Sequence, residues 1–263
     1  MAKFYKGTND TVFKTIFGNN KYLLKKLLES ALKLDDIEIL DVKIPELPKS
    51  KIRSKKRILD VVIKSKGKII NIELNSYQDA TFKRRNFSYL ANLYINGLKE
   101  GEDYDHMEDY IQINISTDQA SMISDYDIYK VTGKRYHQEY VDNFTIYEFN
   151  VTKMKETCYN EYRLLQLLDC DREELDRMSI GDKDMEELSK EIKGLNEDSE
   201  FIEFLTAEEE EEKYLNTVKN LEYQKGMDEG IEQVAKNMLN KGMDKKDISE
   251  LTGLSLSQIE KIR

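Results

Sequence analysis

The fold is decided by one stretch of the chain, residues 58–75, which reads ILDVVIKSKGKIINIELN. Two runs rich in isoleucine and valine flank a short polar segment, and such runs predict β-strands. Lys66 and Gly67 suit a tight turn between antiparallel strands, because glycine tolerates the backbone angles of that turn. The stretch therefore predicts a hairpin in which Ser65 pairs with Lys68 and Asp60 lies directly opposite Glu73.

The side chains of this hairpin divide between its two faces. Because side chains alternate along a strand, Glu73 and Asn75 share one face, and apolar residues fill the other. Carboxylates placed directly opposite destabilise a sheet by up to about 1 kcal/mol, so we expect a cation to compensate Asp60 and Glu73. Oxygen ligands suit Mg²⁺ or Mn²⁺, either of which can orient water for attack on a phosphodiester. The alternative is an exposed hairpin whose carboxylates face solvent.

Periodic patterns on either side of the hairpin predict a mixed α/β core. Apolar residues recur at helical spacing over residues 10–34 and are interrupted at 18–20, which indicates two helices or one broken helix. The other elements predicted for the core are a strand at 37–44, a helix at 79–98 that ends at a capping glycine, Gly97 or Gly101, and strands at 110–115 and 144–149.

The strand patterns end near Lys153, and charged helical patterns replace them. We predict a core at 1–152, a charged helical region at 153–228 that contains five consecutive glutamates, and a small helix-turn-helix-like module at 229–263. The module is not strongly basic. Partner binding, or formation of a homo-oligomer through the C-terminal helices, is therefore an alternative to DNA binding by this module.

The net charge of −10 conceals two parts of opposite charge. Residues 1–100 contain 21 Lys and Arg against 11 Asp and Glu, whereas the rest of the chain contains 20 against 40. The local field decides whether a polyphosphate is attracted, so the acidic total does not exclude nucleic acid as a partner.

The sequence gives no sign of export or of a membrane span. No run approaches the roughly 20 apolar residues that cross a bilayer, and residues 1–8 lack the apolar segment of a signal peptide. The two cysteines, Cys158 and Cys170, are too few for a disulfide framework, and we interpret both as reduced and structural. We expect a cytoplasmic protein that does not enter the membrane.

Four short motifs occur in order along the first part of the chain. They read NDTVFKTIFG at residues 9–18, ILDV at 58–61, IELN at 72–75 and FKRR at 82–85, with Tyr89 following. Together they resemble the PD-(D/E)XK nuclease family transposases, also called recombination-promoting nucleases, over about residues 8–115. The resemblance implies a restriction-endonuclease-like core, a mixed central sheet flanked by helices, followed by a helical C-terminal region.

The resemblance also implies Mg²⁺-dependent endonuclease cleavage of DNA, in recombination, mobile-element biology or defence. Asp60 matches the metal-binding aspartate of the family, and Glu73 matches the acidic residue of the second half of the motif. The third position is Lys in the wider superfamily and commonly Gln in this family, but here it is Asn75. Asparagine is shorter than Gln and lacks the charge of Lys. The alternative is therefore a catalytically weak or inactive module that binds DNA or protein.

Several further residues are candidates for this site. Asp10 is either an accessory metal-binding carboxylate or a helix N-cap. Arg85 and Tyr89 lie four apart on one helix face, where they either reach the scissile phosphate or pack on the sheet. The remaining predicted DNA contacts are Arg84 beside Arg85 and the basic loop at 49–57, which includes Lys55, Lys56 and Arg57.

Overall fold

A computed structural model describes residues 3–43, 61–75, 81–97, 103–117, 123, 125–157 and 161–262. The chain divides into two compact units, Met1–Ser199 and Glu200–Arg263. The domain boundaries that the sequence predicts after residues 152 and 228 remain predictions.

Among the described residues, a mixed sheet of six strands forms the centre of the first unit. Its spatial order is β1-β2-β3-β4-β6-β5, with β3, β4 and β6 parallel and the other strands antiparallel to their neighbours. The strands are β1 (Ile39–Lys43), β2 (Val61–Ser65), β3 (Lys68–Asn75), β4 (Asp109–Ser116), β5 (Tyr126–Lys130) and β6 (Phe144–Asn150). This arrangement confirms the predicted α/β class.

The predicted hairpin and its register are confirmed for the described residues. Ser65 pairs with Lys68, and Val61 pairs with Ile72. Gly67 has a φ of 68°, the left-handed conformation that the turn requires and that glycine adopts without steric cost. Asp60 and its predicted pairing with Glu73 lie outside the described residues.

Two helices precede the sheet, as the pattern over residues 10–34 predicts. They are α1 (Asp10–Asn19) and α2 (Lys21–Leu32), and the break between them falls at Asn20, whose side chain caps α2. The N-cap of α1 is Asn9, whose side chain accepts a hydrogen bond from the backbone of Val12. The interpretation of Asp10 as an N-cap is therefore wrong, because asparagine one residue earlier already satisfies that backbone donor.

Helix α3 (Phe82–Ile95) connects β3 to the parallel strand β4 and lies against one face of the sheet. Its C-terminal half packs through aromatic rings. The ring of Tyr94 lies 5.0 Å from that of Tyr110 on β4 and 5.8 Å from that of Phe144 on β6, both with edge-to-face geometry. These contacts anchor one end of α3 over the amino ends of the parallel strands.

Gly97 follows α3 but does not act as the predicted left-handed cap. The C-cap residue is Asn96, and the positive-φ glycines of the described chain do not include Gly97. A Cβ atom at Gly97 would collide with the hydroxyl group of Tyr110. Glycine is therefore required here for close packing of the end of α3 on β4. Gly101 lies outside the described residues.

The remaining helices follow the sheet in sequence. Those of the first unit are α4 (Val151–Thr157), α5 (Arg163–Gln166), α6 (Arg172–Met178) and α7 (Lys183–Glu197). Cys170 is free within this helical part, and burial raises the pKa of its thiol to about 12, which agrees with the predicted structural role. Cys158 lies outside the described residues.

The second unit contains α8 (Ser199–Asn240), α9 (Lys245–Thr252) and α10 (Leu256–Ile259). Ala235, Ile248 and Ile259, one from each helix, form its small buried core. Over the part of the chain that the structure describes, no helix combines the length and apolar character needed to cross a membrane.

Strand β5 is absent from the sequence prediction. Among the described residues it pairs through one edge, antiparallel to β6, and most of its residues are exposed. The alternation of buried and exposed residues that identifies a half-buried strand is therefore weak here.

The packing of Gly97 against Tyr110 predicts a stability difference between two glycine substitutions. We expect Gly97→Ala to lower the free energy of unfolding by about 1–3 kcal/mol, because the methyl group overpacks the junction of α3 and β4. Gly194→Ala is the control, since Gly194 lies in α7 with open space around its Cα. That change should raise stability by about 0.5–1 kcal/mol. Urea unfolding measures both, and equal effects would contradict the packing argument.

Candidate active site

Glu73 and Asn75 lie at the carboxyl end of β3 on the face that α3 covers. Both side chains are about 3% exposed. Alternation along the parallel strands places polar residues of β4 and β6 beside them: Asn114 and Glu148 lie level with Glu73, and Ser116 lies level with Asn75. The face of the sheet is therefore polar at this end and aromatic at the other.

Four buried amide side chains connect Glu73 to Asn75. The Nδ2 of Asn71 donates to Glu73 Oε1 at 3.1 Å and to Gln112 Oε1 at 2.8 Å. The Nε2 of Gln112 donates to Asn114 Oδ1 at 2.9 Å. The Nδ2 of Asn86 donates to Asn114 Oδ1 at 2.9 Å and to Asn75 Oδ1 at 3.3 Å. We call these four residues the amide network: Asn71, Gln112, Asn114 and Asn86.

A guanidinium group lies directly against Asn75. The Nη2 of Arg85 donates to Asn75 Oδ1 at 3.0 Å, so the amide oxygen of Asn75 receives hydrogen bonds from both Arg85 and Asn86. The Nδ2 of Asn75 is buried and has no hydrogen-bond acceptor among the described residues. Asn75 therefore offers a desolvated donor at the end of β3.

A second buried carboxylate, which the sequence analysis missed, lies on the same face. Glu148 on β6 is 2% exposed, and its Oε2 lies 3.1 Å from the Nζ of Lys83 in the first turn of α3. Its Oε1 has no hydrogen-bond partner in the described part of the chain. Burial raises the pKa of the neighbouring Tyr129 to about 12, and the negative charge of Glu148 adds to this shift. Tyr129 therefore stays a neutral phenol at physiological pH.

The remaining predicted site residues differ in their exposure to solvent. Asp10 is half-exposed and forms an ion pair with Lys14 at 2.8 Å. Arg84 is exposed, and Tyr89 is largely buried. The predicted residues that lie outside the described residues are Lys55, Lys56, Arg57 and Asp60.

The donor atoms near Glu73 are compatible with a hard divalent cation. Carboxylate and amide oxygens dominate this end of the sheet, and these are the ligand types that Mg²⁺ and Mn²⁺ prefer. The described residues contain no group of three or more His, Cys, Asp or Glu side chains placed to hold a metal. The second carboxylate that the sequence predicts, Asp60, immediately precedes the first described residue of β2.

Comparison with known proteins gives the family of the chain. Residues 7–230 match the family described as PD-(D/E)XK nuclease family transposase. The chain belongs to this family. Residues 224–263 match the domain described as Rpn/YhgA-like nuclease family, C-terminal HTH domain. No curated protein and no solved structure gives a significant match.

Membership of this nuclease family confirms the resemblance found in the sequence. The mixed sheet with its flanking helices is a restriction-endonuclease-like core, and the chain ends in a helical region. The family and the HTH domain support a nuclease or DNA-binding role for the protein. PD-(D/E)XK nucleases generally use divalent metal ions.

The ion pair between Lys83 and Glu148 predicts a test of how α3 is held on the sheet. Lys83→Met leaves a buried carboxylate without its counter-charge, which should cost about 1–3 kcal/mol of unfolding free energy because Lys83 itself is half-exposed. The double variant Lys83→Met/Glu148→Gln removes that charge and should recover most of the loss. Urea unfolding compares the two. A double variant no more stable than Lys83→Met would show that the carboxylate does not depend on Lys83.

Proposed function

We propose that this protein is a metal-dependent DNA endonuclease that hydrolyses phosphodiester bonds with Mg²⁺ or Mn²⁺. In this proposal Asp60 and Glu73 hold the ion, with Asp10 as an accessory carboxylate, and Asn75 is the third catalytic group. The observation that carries the proposal is the burial of Glu73 and Asn75 side by side at the carboxyl end of β3, with Arg85 against Asn75. Family membership supports the same chemistry.

Each group has a distinct role in the proposed reaction. A bound divalent ion supplies Lewis-acid activation of water and of the phosphate. The carboxylate of Glu73, together with that of Asp60, holds this ion. The buried Nδ2 of Asn75 donates a hydrogen bond to the attacking water or to a phosphate oxygen.

Arg85 supplies the positive charge that an asparagine at the third position lacks. The Nη2 of its guanidinium group lies 3.0 Å from the Oδ1 of Asn75. A cation at this place stabilises the charge that develops on the phosphate in the transition state. Asn75 and Arg85 together then do what a single Lys does in the wider superfamily.

DNA binding in this proposal is electrostatic and independent of sequence. Lys55, Lys56, Arg57 and Arg84 contact phosphates, in agreement with the basic balance of residues 1–100. The burial of Tyr89 favours the alternative in which it packs α3 on the sheet. We place the protein in the cytoplasm, acting in recombination, mobile-element biology or defence, with the HTH module as a further DNA contact or as a site of self-association.

Plasmid cleavage tests the proposed activity and its metal centre. We expect the purified protein to nick supercoiled DNA with Mg²⁺ or Mn²⁺ and to be inactive in EDTA. Asp60→Asn and Glu73→Gln should abolish nicking, because each removes a charged ligand without changing the size of the side chain. Glu222→Gln, a change at an exposed glutamate of α8, is the control and should cleave normally. Equal cleavage by all variants would refute the assigned centre.

Asn75 also supports a second candidate function, a DNA-binding module whose nuclease site has decayed. Substitutions at Asn75 separate the two functions. If Asn75 and Arg85 act together, Asn75→Lys should reduce cleavage at least tenfold, a loss of about 1.4 kcal/mol or more in transition-state stabilisation, because it removes the acceptor of Arg85 and adds a like charge. If the site has decayed, the wild type should bind DNA without cleaving it, and Asn75→Gln or Asn75→Lys should create activity. Fluorescence anisotropy with labelled DNA measures binding in parallel.

A further inference from the structure

We infer that the amide network is a set of positioning residues that fixes Glu73 and Asn75 relative to each other and fixes Asn75 as a hydrogen-bond donor. This inference rests on the proposed function and adds four residues to it. The central member is Gln112, which hydrogen bonds to Asn71 and Asn114 and is completely buried. Any effect of Gln112 on the motif residues must therefore pass through other amides.

The direction of the hydrogen bonds is determined by the guanidinium group of Arg85 at one end of the network. An amide offers a donor and an acceptor, so a chain of amides alone can run in either direction. At one end the Nδ2 of Asn71 faces the carboxyl group of Glu73 and donates to its Oε1. At the other end the guanidinium of Arg85 can only donate, which requires the Oδ1 of Asn75 to face it. The hydrogen bonds at both ends therefore fit the same donor-to-acceptor direction along the network.

The donor contacts of the side-chain amides agree with this direction. Asn71 uses two Nδ2 contacts for Glu73 and Gln112. Asn86 uses two Nδ2 contacts for Asn75 and Asn114. Each of these two amides thus donates once to a motif residue and once to another member of the network, and the Nδ2 of Asn75 is left without an acceptor among the described residues.

The network carries a cost in stability that the fold does not require. Buried amides are less favourable than apolar side chains unless every polar atom is paired. The Oδ1 atoms of Asn71 and Asn86 are buried without a hydrogen-bond partner among the described residues. Each such atom lowers the stability of the folded protein. A core selected for stability alone would place apolar residues at these positions, so their presence points to the motif residues that they hold.

The experiment compares two substitutions that each remove one buried glutamine amide. Gln112→Met breaks the centre of the network and nearly preserves side-chain volume. Gln166→Met is the matched control, because Gln166 is also completely buried but donates to the backbone of Glu161 in the helical part of the unit. Three properties are measured for each: kcat and KM on a short duplex, Mn²⁺ affinity by calorimetry, and stability in urea.

We expect Gln112→Met to lower kcat by about 10- to 100-fold and to weaken Mn²⁺ binding, the range found for residues that orient metal ligands. KM should stay unchanged, because Gln112 is buried and does not reach DNA. Gln166→Met should keep the wild-type kcat and Mn²⁺ affinity, even if both variants lose similar stability. A purely structural role for Gln112 would instead make the two variants equal in kcat, and that result would overturn the inference.

The inference and the proposed function fail in different ways. If the wild type cleaves DNA and the two glutamine variants cleave equally well, only the inference fails. If the wild type binds Mn²⁺ but does not cleave, the proposed hydrolysis fails, and weaker Mn²⁺ binding by Gln112→Met than by Gln166→Met still supports the network. A wild type without Mn²⁺ affinity and without cleavage overturns both.

Discussion

The packing of α3 across three parallel strands is the contact on which the site depends. Aromatic rings hold one end of the helix over the amino ends of β4 and β6. The other end reaches three strands with three side chains in its first two turns: Lys83 to Glu148, Arg85 to Asn75, and Asn86 to both Asn75 and Asn114. Since the aromatic end cannot shift without losing close packing, the polar end is held over the carboxyl ends of the strands.

The parts of this structure that local sequence determines could be predicted. A two-residue turn and side-chain alternation are enough to derive the hairpin register, which places Glu73 and Asn75 on one face. The amide network could not be derived in the same way. Gln112 and Asn114 alternate with isoleucines, as a strand with one polar face requires, but only the parallel pairing of β4 with β3 shows which residues they meet. That pairing joins residues 41 positions apart, and no local rule fixes it.

Two helix-capping interpretations are wrong for the same physical reason. An N-cap is one of two interpretations of Asp10, and Gly97 is one of two candidate capping glycines, because acidic residues and glycines are common at helix ends. In the structure Asn9 already caps α1, and Gly97 makes room for a tyrosine hydroxyl from β4. A residue type that suits a helix end can be present for a contact elsewhere, and sequence alone does not separate the two causes.

The hydrogen-bonded chain between Glu73 and Arg85 has a consequence for inheritance. Replacing Asn71 removes the donor to Gln112 Oε1, and replacing Asn114 removes the acceptor of Gln112 Nε2, so these positions cannot drift independently of Gln112. If the protein cleaves DNA under selection, we expect the amides to be retained together in spite of their cost in stability. Once cleavage is lost, the same cost favours apolar residues at all of these positions. A descendant that had long been inactive would therefore differ from this protein at the amides as well as at the motif.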